Sequence, residues 1–446
     1  MTSRLKNNHH GAVKAVMTHF EYEDGTIYYP FGTTVYALVH QPDELWNTTM
    51  TTLEKSPFNK VRFCVFPKYY SWNDTGPPYY PFEGEIGNWD VRRPNPKFWE
   101  RLEKTLCRLE KAEIQADLIL FHPYDKWGFS RLSREDALFY LEYTVITLGH
   151  HKNIWWSLAN EYDLIDYSQE DWECFASCIH EIDSGRHLIS NHNAIHFWDF
   201  SNKDTTHICL QTEDIVHATG LLRKFGKPVI IDECGYEGNL EFNWGNLSAQ
   251  DMVERVWTAV ARGAYCTHGE TFLQGIEREI LWWSHGGTLR GESWKRIGFL
   301  RGILENLSVP LSFLDRSYVS YTQEELDKIR KMPSGMRPKE FSHGQYLKGL
   351  LSATEDEASR LQELLSPHCA AFEEEVFLYY FGRRCPGSFT PILPQGREYV
   401  VSIIDTWNMT VETIPCPKTI KLPGRSYMAI LICARAFQKR MENEKR

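Results

Sequence analysis

The 446-residue chain is 42% hydrophobic, 24% charged and 14% aromatic, a globular composition long enough for one large domain and a smaller one. A net charge of -10, with no Lys/Arg run interleaved with aromatics, excludes a polyanion-binding surface, so nucleic acid is not an expected partner. No stretch reaches about 18 consecutive apolar residues, and MTSRLKNNHHGAVKAV lacks a leader-type apolar core, so no membrane association is expected and the cytoplasm is the expected location.

In chain order, short apolar runs alternate with amphipathic stretches. Strands are predicted at 29–38, 60–67, 116–123, 153–161, 187–193, 207–212, 228–234 and 264–270. Helices are predicted at 44–55, 96–112, 133–147, 169–182, 214–225, 248–262 and 293–305. Such alternation predicts a (β/α)8 TIM barrel over residues 1–310, starting almost at the N-terminus. A doubly wound sheet is the rival, but no GxGxxG follows an early strand. Residues 311–371 are expected as a helical and loop connection, with one helix at 354–365 and a loop in KMPSGMRPKEFSHG. From 372 to 437 the runs VFLYYFG, YVVSIID, TVETI, TIKLP and YMAILIC predict a small antiparallel β-sandwich, followed by a charged tail at 438–446.

The chemistry is sought at strand C-termini, where this fold places its sites. The aromatic run NIWWSLANEYD closes the fourth strand on Glu161, and VIIDECGYEG closes the seventh on Glu233. A carboxylate at the end of a buried strand costs several kcal/mol unless it is paired or used. Two carboxylates facing one mouth can divide labour, one protonated to donate to a leaving group and the other ionised to attack or to activate water. Other polar residues end the neighbouring strands: His192 and Asn193 the fifth, Gln211 the sixth, His268 and Glu270 the eighth. Together they form a ring of hydrogen-bonding groups suited to a polyhydroxylated ligand. His122, Asp125 and Trp127 in FHPYDKWG could form a pocket wall, and Trp282 and Trp283 are either a stacking platform or packing for the small domain.

The segments YYPFGTTVYALVHQ, FNKVRFCVFPKYY, DLILFHPYDKWGFSR, WWSLANEYD, VIIDECGYEGN and THGETF, in this order, resemble the apiosidase-like catalytic domain family. IIDTWNMTV and KLPGRSYMAIL are similar to the β-sandwich that follows that domain in many bacterial members. The resemblance implies a retaining (β/α)8 glycoside hydrolase with Glu161 as acid/base and Glu233 as nucleophile, their carboxyl groups about 5 Å apart. Asn160 would then bond a hydroxyl beside the anomeric carbon. Arg62, an unusual charge within strand two, could hold the nucleophile ionised or belong to a structural ion pair. The implied substrate is a small plant or microbial oligosaccharide or glycoside, cleaved without cofactor or metal by a chain that could be a homo-oligomer.

Two other classes of function compete. A metal-dependent amidohydrolase barrel could use His122, His192, His196 and His268, but it normally needs HxH on an early strand, which is missing. A catalytically inactive carbohydrate-binding barrel would have no need of the glutamate pair. Eleven cysteines without CxxC spacing signal neither a disulfide framework nor a zinc site and fit reduced thiols.

Overall fold

A strand of a parallel barrel packs one face against the helices and the other into the barrel interior, so both of its faces are buried. In the computed structural model, which describes residues 10–444 apart from 71, 73, 274–280, 315–320, 322, 337–342 and 366–367, eight short parallel strands form the barrel wall. They are β1 (Gly32–Thr34), β2 (Lys60–Cys64), β3 (Gln115–Phe121), β4 (Ile154–Ala159), β5 (Leu188–Ser190), β6 (Ile208–Gln211), β7 (Val229–Glu233) and β8 (Tyr265–Cys266). Each falls inside one of the expected runs or, for β3, within a residue of it.

The wall closes in three ways. Ladders join β1 through β5 in chain order and β6 through β8 likewise. Between β8 and β1 the Thr34 amide donates to the His268 carbonyl at 3.1 Å, and the His268 amide to the Gly32 carbonyl at 2.9 Å. Between β5 and β6 side chains substitute for a ladder: Ile189 donates to Thr206 Oγ1 at 3.0 Å, and the Asn193 amide both gives to and takes from the backbone of Gln211.

Seven helices surround the wall: α1 (Asp43–Lys55), α2 (Pro96–Lys111), α3 (Arg134–Leu148), α4 (Gln169–Asp183), α5 (Ile215–Phe225), α6 (Ala249–Val260) and α7 (Ser293–Leu307). Their starts are written locally. Asn95 caps α2 ahead of a proline, Ser133 caps α3, and Ser168 with Asp171 forms a capping box on α4. No helix links β5 to β6; there Asp163 accepts from the amides of Ala194, Ile195 and His196 at 2.6, 2.8 and 2.7 Å, giving an irregular loop a fixed course. No helix among the described residues is long and apolar enough to cross a membrane.

At the strand N-termini a small antiparallel sheet (Val13–Val16, His19–Tyr22, Ile27–Tyr28) closes the barrel floor. Its fully buried Phe20 reaches Trp155, His207 and Tyr265 with ring centres 5.1, 5.6 and 5.8 Å away. Above that plug the interior is charged rather than aliphatic. Lys60 Nζ bridges Asp117 and Asp232 at 2.6 and 2.7 Å, and Arg62 lies 3.7 Å from each of the same carboxylates.

The chain divides into two compact units, the described residues of Met1–Val256 with Ala264–Pro310, and those of Trp257–Gly263 with Leu311–Arg446. The second holds a six-stranded antiparallel sheet in the order Ser312–Phe313, His368–Phe372, Val376–Gly382, Met428–Ala434, Tyr399–Asp405, Thr410–Pro415. A two-stranded ribbon, Ser388–Phe389 with Ile420–Lys421, lies against it through Phe389, whose ring is 4.9 Å from that of Tyr379. Where one helix was expected in 311–371 the described residues form three, Gln323–Lys331, His343–Ser352 and Glu355–Leu365, sharing a core of Leu326, Ile329, Leu347, Leu350 and Ala358. Part of the expected KMPSGMRPKEFSHG loop, 337–342, lies outside the described residues. The described part of the charged tail expected at 438–446 belongs to a helix, Arg435–Glu444, held by buried Phe437 and by Arg440 at 2.5 Å from Glu375.

Candidate active site

β4 ends at Ala159, and Asn160 and Glu161 carry the chain off it at the barrel mouth. Glu161 has φ of 57°, the left-handed region, which costs a non-glycine residue of order 1 kcal/mol or more and persists where the surroundings fix it. Glu233 is the last residue of β7. Between the two stands Gln211, the last residue of β6, where a register shift after Leu210 brings it opposite Glu233. With its amide oriented to donate, the nitrogen lies 3.1 Å from Glu161 Oε1 and 3.1 Å from Glu233 Oε2. Those two oxygens are therefore no further apart than twice that distance.

The pair is set differently on its two sides. Burial first, then the charge of Glu233, raises the Glu161 carboxyl above the usual glutamate range. Its partners are Gln211 and the Tyr124 hydroxyl. Glu233 receives a hydrogen bond from the Tyr36 hydroxyl, which stands 3.0 Å from Asn160 Oδ1 and 3.5 Å from the Tyr236 hydroxyl. Lys68 Nζ lies 3.4 Å from the Tyr36 ring centre and 4.6 Å from that of Tyr124, and burial lowers its pKa. His192 Nε2 is 3.9 Å from Glu233 Oε1, too far for a hydrogen bond; burial, helped by Arg62, holds the ring neutral.

Around the carboxylates opens a cavity of about 430 Å³. Its base is Glu161, Gln211 and Glu233, and its wall is aromatic. Trp283 stacks on Tyr70 with centres 4.8 Å apart, and Trp244 is 5.3 Å from the same indole. Flat apolar faces beside hydrogen-bonding tips match the alternating CH and OH faces of a sugar ring.

Residues 16–308 match the family described as apiosidase-like, catalytic domain. The chain belongs to the apiosidase-like family. Residues 366–433 match a second family, a domain of unknown function, DUF5605. Among solved structures the apiosidase-like chain is similar to a candidate glycoside hydrolase from Bacteroides vulgatus ATCC 8482, with 32% identity over 96% of this chain and 83% of that one, and a TM-score of 0.80. A family 5 glycoside hydrolase from the same organism shares the fold at 14% identity, TM-score 0.70, covering 96% of this chain and 94% of that one. A third structure, described as a glycoside hydrolase, has 13% identity, a TM-score of 0.68 and coverage of 96% and 98%. No curated protein matches the chain. The apiosidase-like chain is a glycoside hydrolase.

Within this apiosidase-like barrel the residues expected at the site fall into three groups. Glu161, Glu233, Gln211 and Trp283 line the cavity. Asn160, Arg62, His192 and Asn193 stand directly behind it: Arg62 Nη2 lies 3.4 Å from Asn160 Oδ1, and Asn193 clasps the Gln211 backbone. Arg62 is thus aimed at Asn160 and the interior aspartates. The remaining candidates do not line the cavity. His122 Nε2 donates to the Phe66 carbonyl, 3.1 Å away, and burial pushes the ring's pKa down to about 3. Asp125 organises its own loop by accepting from the amides of Trp127, Gly128 and Ser130. Trp127 is buried against Tyr69 and Tyr80. Trp282 donates to Thr33 Oγ1 at 2.8 Å, on which His268 also leans at 3.0 Å, and Glu270 accepts from the Arg290 amide at 2.8 Å.

Sequence reasoning missed Tyr36, Lys68, Tyr70, Tyr124, Tyr236 and Trp244. Four of the six were within reach. Tyr124 sits between two chosen residues in FHPYDKW, Lys68 and Tyr70 lie in FPKYY just beyond the second strand, and Tyr236 is three residues after Glu233. Among the described residues, the groupings of His and carboxylate able to hold a metal are Glu103 with His150 and His151, and Glu237 with His268 and Glu270. Neither combines two of His122, His192, His196 and His268.

Proposed function

We propose that this glycoside hydrolase is a retaining enzyme, with Glu161 as acid/base and Glu233 as nucleophile, acting on a small plant or microbial oligosaccharide or glycoside. One observation carries the reading: a single amide, Gln211, reaches an oxygen of each carboxylate at 3.1 Å. Twice 3.1 Å falls short of the roughly 6.5–9.5 Å gap that lets a water stand between sugar and base in inverting enzymes. In the first step a Glu233 oxygen bonds to the anomeric carbon as the glycosidic C–O bond breaks, and the Glu161 proton goes to the departing oxygen. In the second, Glu161 takes a proton from water, whose oxygen replaces Glu233 on that carbon and restores the free carboxylate.

The surroundings support these roles. Raised by burial and by its neighbour's charge, Glu161 keeps its proton to higher pH than an ordinary glutamate. The Tyr36 hydroxyl fixes the direction of the attacking Glu233 oxygen. Asn160 Nδ2 is buried without a partner among the described residues, a donor available to a substrate hydroxyl beside the reacting carbon. A cavity of about 430 Å³ is at the small end of ligand pockets and favours a short substrate. No disulfide joins the cysteines of the described residues, which supports a reducing compartment such as the cytoplasm.

The test is stereochemical. Aryl apiofuranosides, arabinofuranosides, galactosides and glucosides are screened for release of the aryl group, and the first-formed sugar from the best is followed by NMR. It is expected to keep the substrate's anomeric configuration; an initial product of opposite configuration sinks the retaining assignment.

A further inference from the structure

Beyond the strand end of β8, a second pair of glutamates lies outside the catalytic cavity. Glu237 and Glu270 are direct partners on a short parallel ladder, 237–238 against 270–271, so their side chains emerge side by side. Both are buried, at 3% and 1% exposure, and His268 between them is fully buried. Like charges opposed on neighbouring strands destabilise a ladder, and buried carboxylates require a counter-charge. No Lys or Arg among the described residues forms an ion pair with either glutamate; the neighbour within reach is His268, whose Nε2 is 3.6 Å from Glu270 Oε1. Both of those atoms lack a hydrogen-bond partner among the described residues.

We propose that Glu237, His268 and Glu270 form a binding site for a first-row divalent transition ion of the zinc or manganese class. One ligand atom from each of the three lies within 4.8 Å of the others. A small ion with bonds of about 2.0–2.2 Å holds its ligands roughly 3.4 Å apart, close to the His268–Glu270 separation, so the site needs only a modest inward closure. Two carboxylates and a neutral imidazole balance a divalent charge. The imidazole argues against magnesium and calcium, which take oxygen ligands.

Each ligand is already held from behind, as metal ligands require. His268 Nδ1 is 3.0 Å from Thr33 Oγ1, so a proton on Nδ1 leaves the Nε2 lone pair facing the two carboxylates. Glu270 accepts from the Arg290 amide at 2.8 Å through its other oxygen. Glu237 accepts from the Glu292 amide at 2.9 Å and from Ser293 Oγ at 2.5 Å, at the start of α7. The ion would tie the end of β8 to the segment after β7 and to the last barrel helix. That segment includes Tyr236, which lines the cavity beside Glu233. The role is structural, and no step of the proposed hydrolysis passes through the ion.

The test uses the full chain, stripped with chelator, dialysed and offered one equivalent of zinc or manganese. Bound metal per chain and the thermal midpoint are read with and without the ion. About one ion per chain and a raised midpoint are expected. Glu270→Gln and His268→Gln should bind at least about tenfold more weakly, whereas His150→Asn, in the other His–carboxylate grouping, should bind like wild type. Cobalt(II) added to the wild type guards against variants that do not fold: ligand-field bands without a sulfur-to-cobalt charge-transfer band are expected. Failure to take up zinc, manganese or cobalt, undiminished uptake in folded Glu270→Gln and His268→Gln, or a thiolate band would each overturn the site.

Discussion

Glu161 carries two costs, a left-handed backbone and a buried carboxyl facing another carboxylate. Burial and the neighbouring charge make it an acid that ionises late, which leaves a trace in stability and another in catalysis. A carboxyl whose folded pKa lies above its unfolded value leaves stability intact below the ordinary glutamate value of about 4.3 and withdraws it as pH rises through the folded one. Glu161→Gln is therefore expected to raise the barrel's thermal midpoint at neutral pH, with the gain vanishing near pH 4; an unchanged midpoint at neutral pH would contradict the burial argument. The catalytic trace is separate. Activity should fall on the alkaline side as Glu161 loses its proton, and Glu161→Ala should keep turnover of substrates with good leaving groups and regain rate with azide. Tyr36 acts through Glu233 and is a positioning residue for it. Removing its hydroxyl in Tyr36→Phe forfeits a hydrogen bond to a charged group, about 1.5–3 kcal/mol, or roughly ten- to a hundredfold in kcat. Equal rates for the two proteins in a steady-state assay would show that Tyr236 and Gln211 suffice to orient the nucleophile.

Among the elements, the seam between β5 and β6 most directly sets the site, because Gln211 can bridge the carboxylates only while its backbone is pinned. Asn193 supplies that pin with bonds of 3.2 and 3.1 Å to the Gln211 carbonyl and amide. Asn193→Ala should let the end of β6 slip, lowering kcat more than it raises KM and speeding hydrogen exchange at the Gln211 amide; unchanged exchange would show that the register shift alone holds β6. The strands that converge here were readable from sequence. Lys60–Cys64, Ile154–Ala159 and Val229–Glu233 are short strand-forming runs buried on both faces up to Glu233, and helix caps such as Ser168 and Asn95 are local chemistry. The aromatic wall was only partly readable, because Tyr36, Tyr124 and Tyr236 lie at or beyond strand ends, where periodicity stops and loop geometry decides which side chains turn inward. Trp127 misled for the same reason: an indole after a strand faces the cavity or the insert Phe82–Pro94 according to turns that Asp125 dictates. The helix Gln323–Lys331 offers only Leu326 and Ile329 as buried residues, too weak a stripe to stand without the helices it meets.

For the molecule as a whole, the barrel interior departs most from what composition suggests, since the layers beneath Glu161 and Glu233 are held by charge. Lys60 sits between Asp117 and Asp232, Arg62 completes the set, and Thr267 Oγ1 and Cys209 Sγ donate to Asp232 at 2.6 and 3.0 Å. Two cations and two anions cancel, and the arrangement lets Arg62 continue upward to Asn160, so the network that fills the core also braces the residue beside Glu161. Such a set adds little over apolar packing when complete and is costly when broken. Lys60→Met should therefore cost about 3–5 kcal/mol in the barrel's unfolding, leaving two carboxylates without their nearest cation. The same network fixes the acid limit. Burial alone would raise the Asp232 carboxyl, but Lys60 and Arg62 outweigh it and hold the group well below the ordinary aspartate range. A depressed folded pKa contributes stability that is fully present above the unfolded value of about 3.9 and is lost as pH falls toward the folded one. Denaturant titrations of the wild type should show stability dropping steeply below about pH 4. In Asp232→Asn that slope should be shallower, with a lower plateau at neutral pH, because Lys60 and Arg62 then face one carboxylate instead of two. Parallel slopes for the two proteins would mean that other carboxylates set the acid limit and that the interior charge serves Asn160 alone.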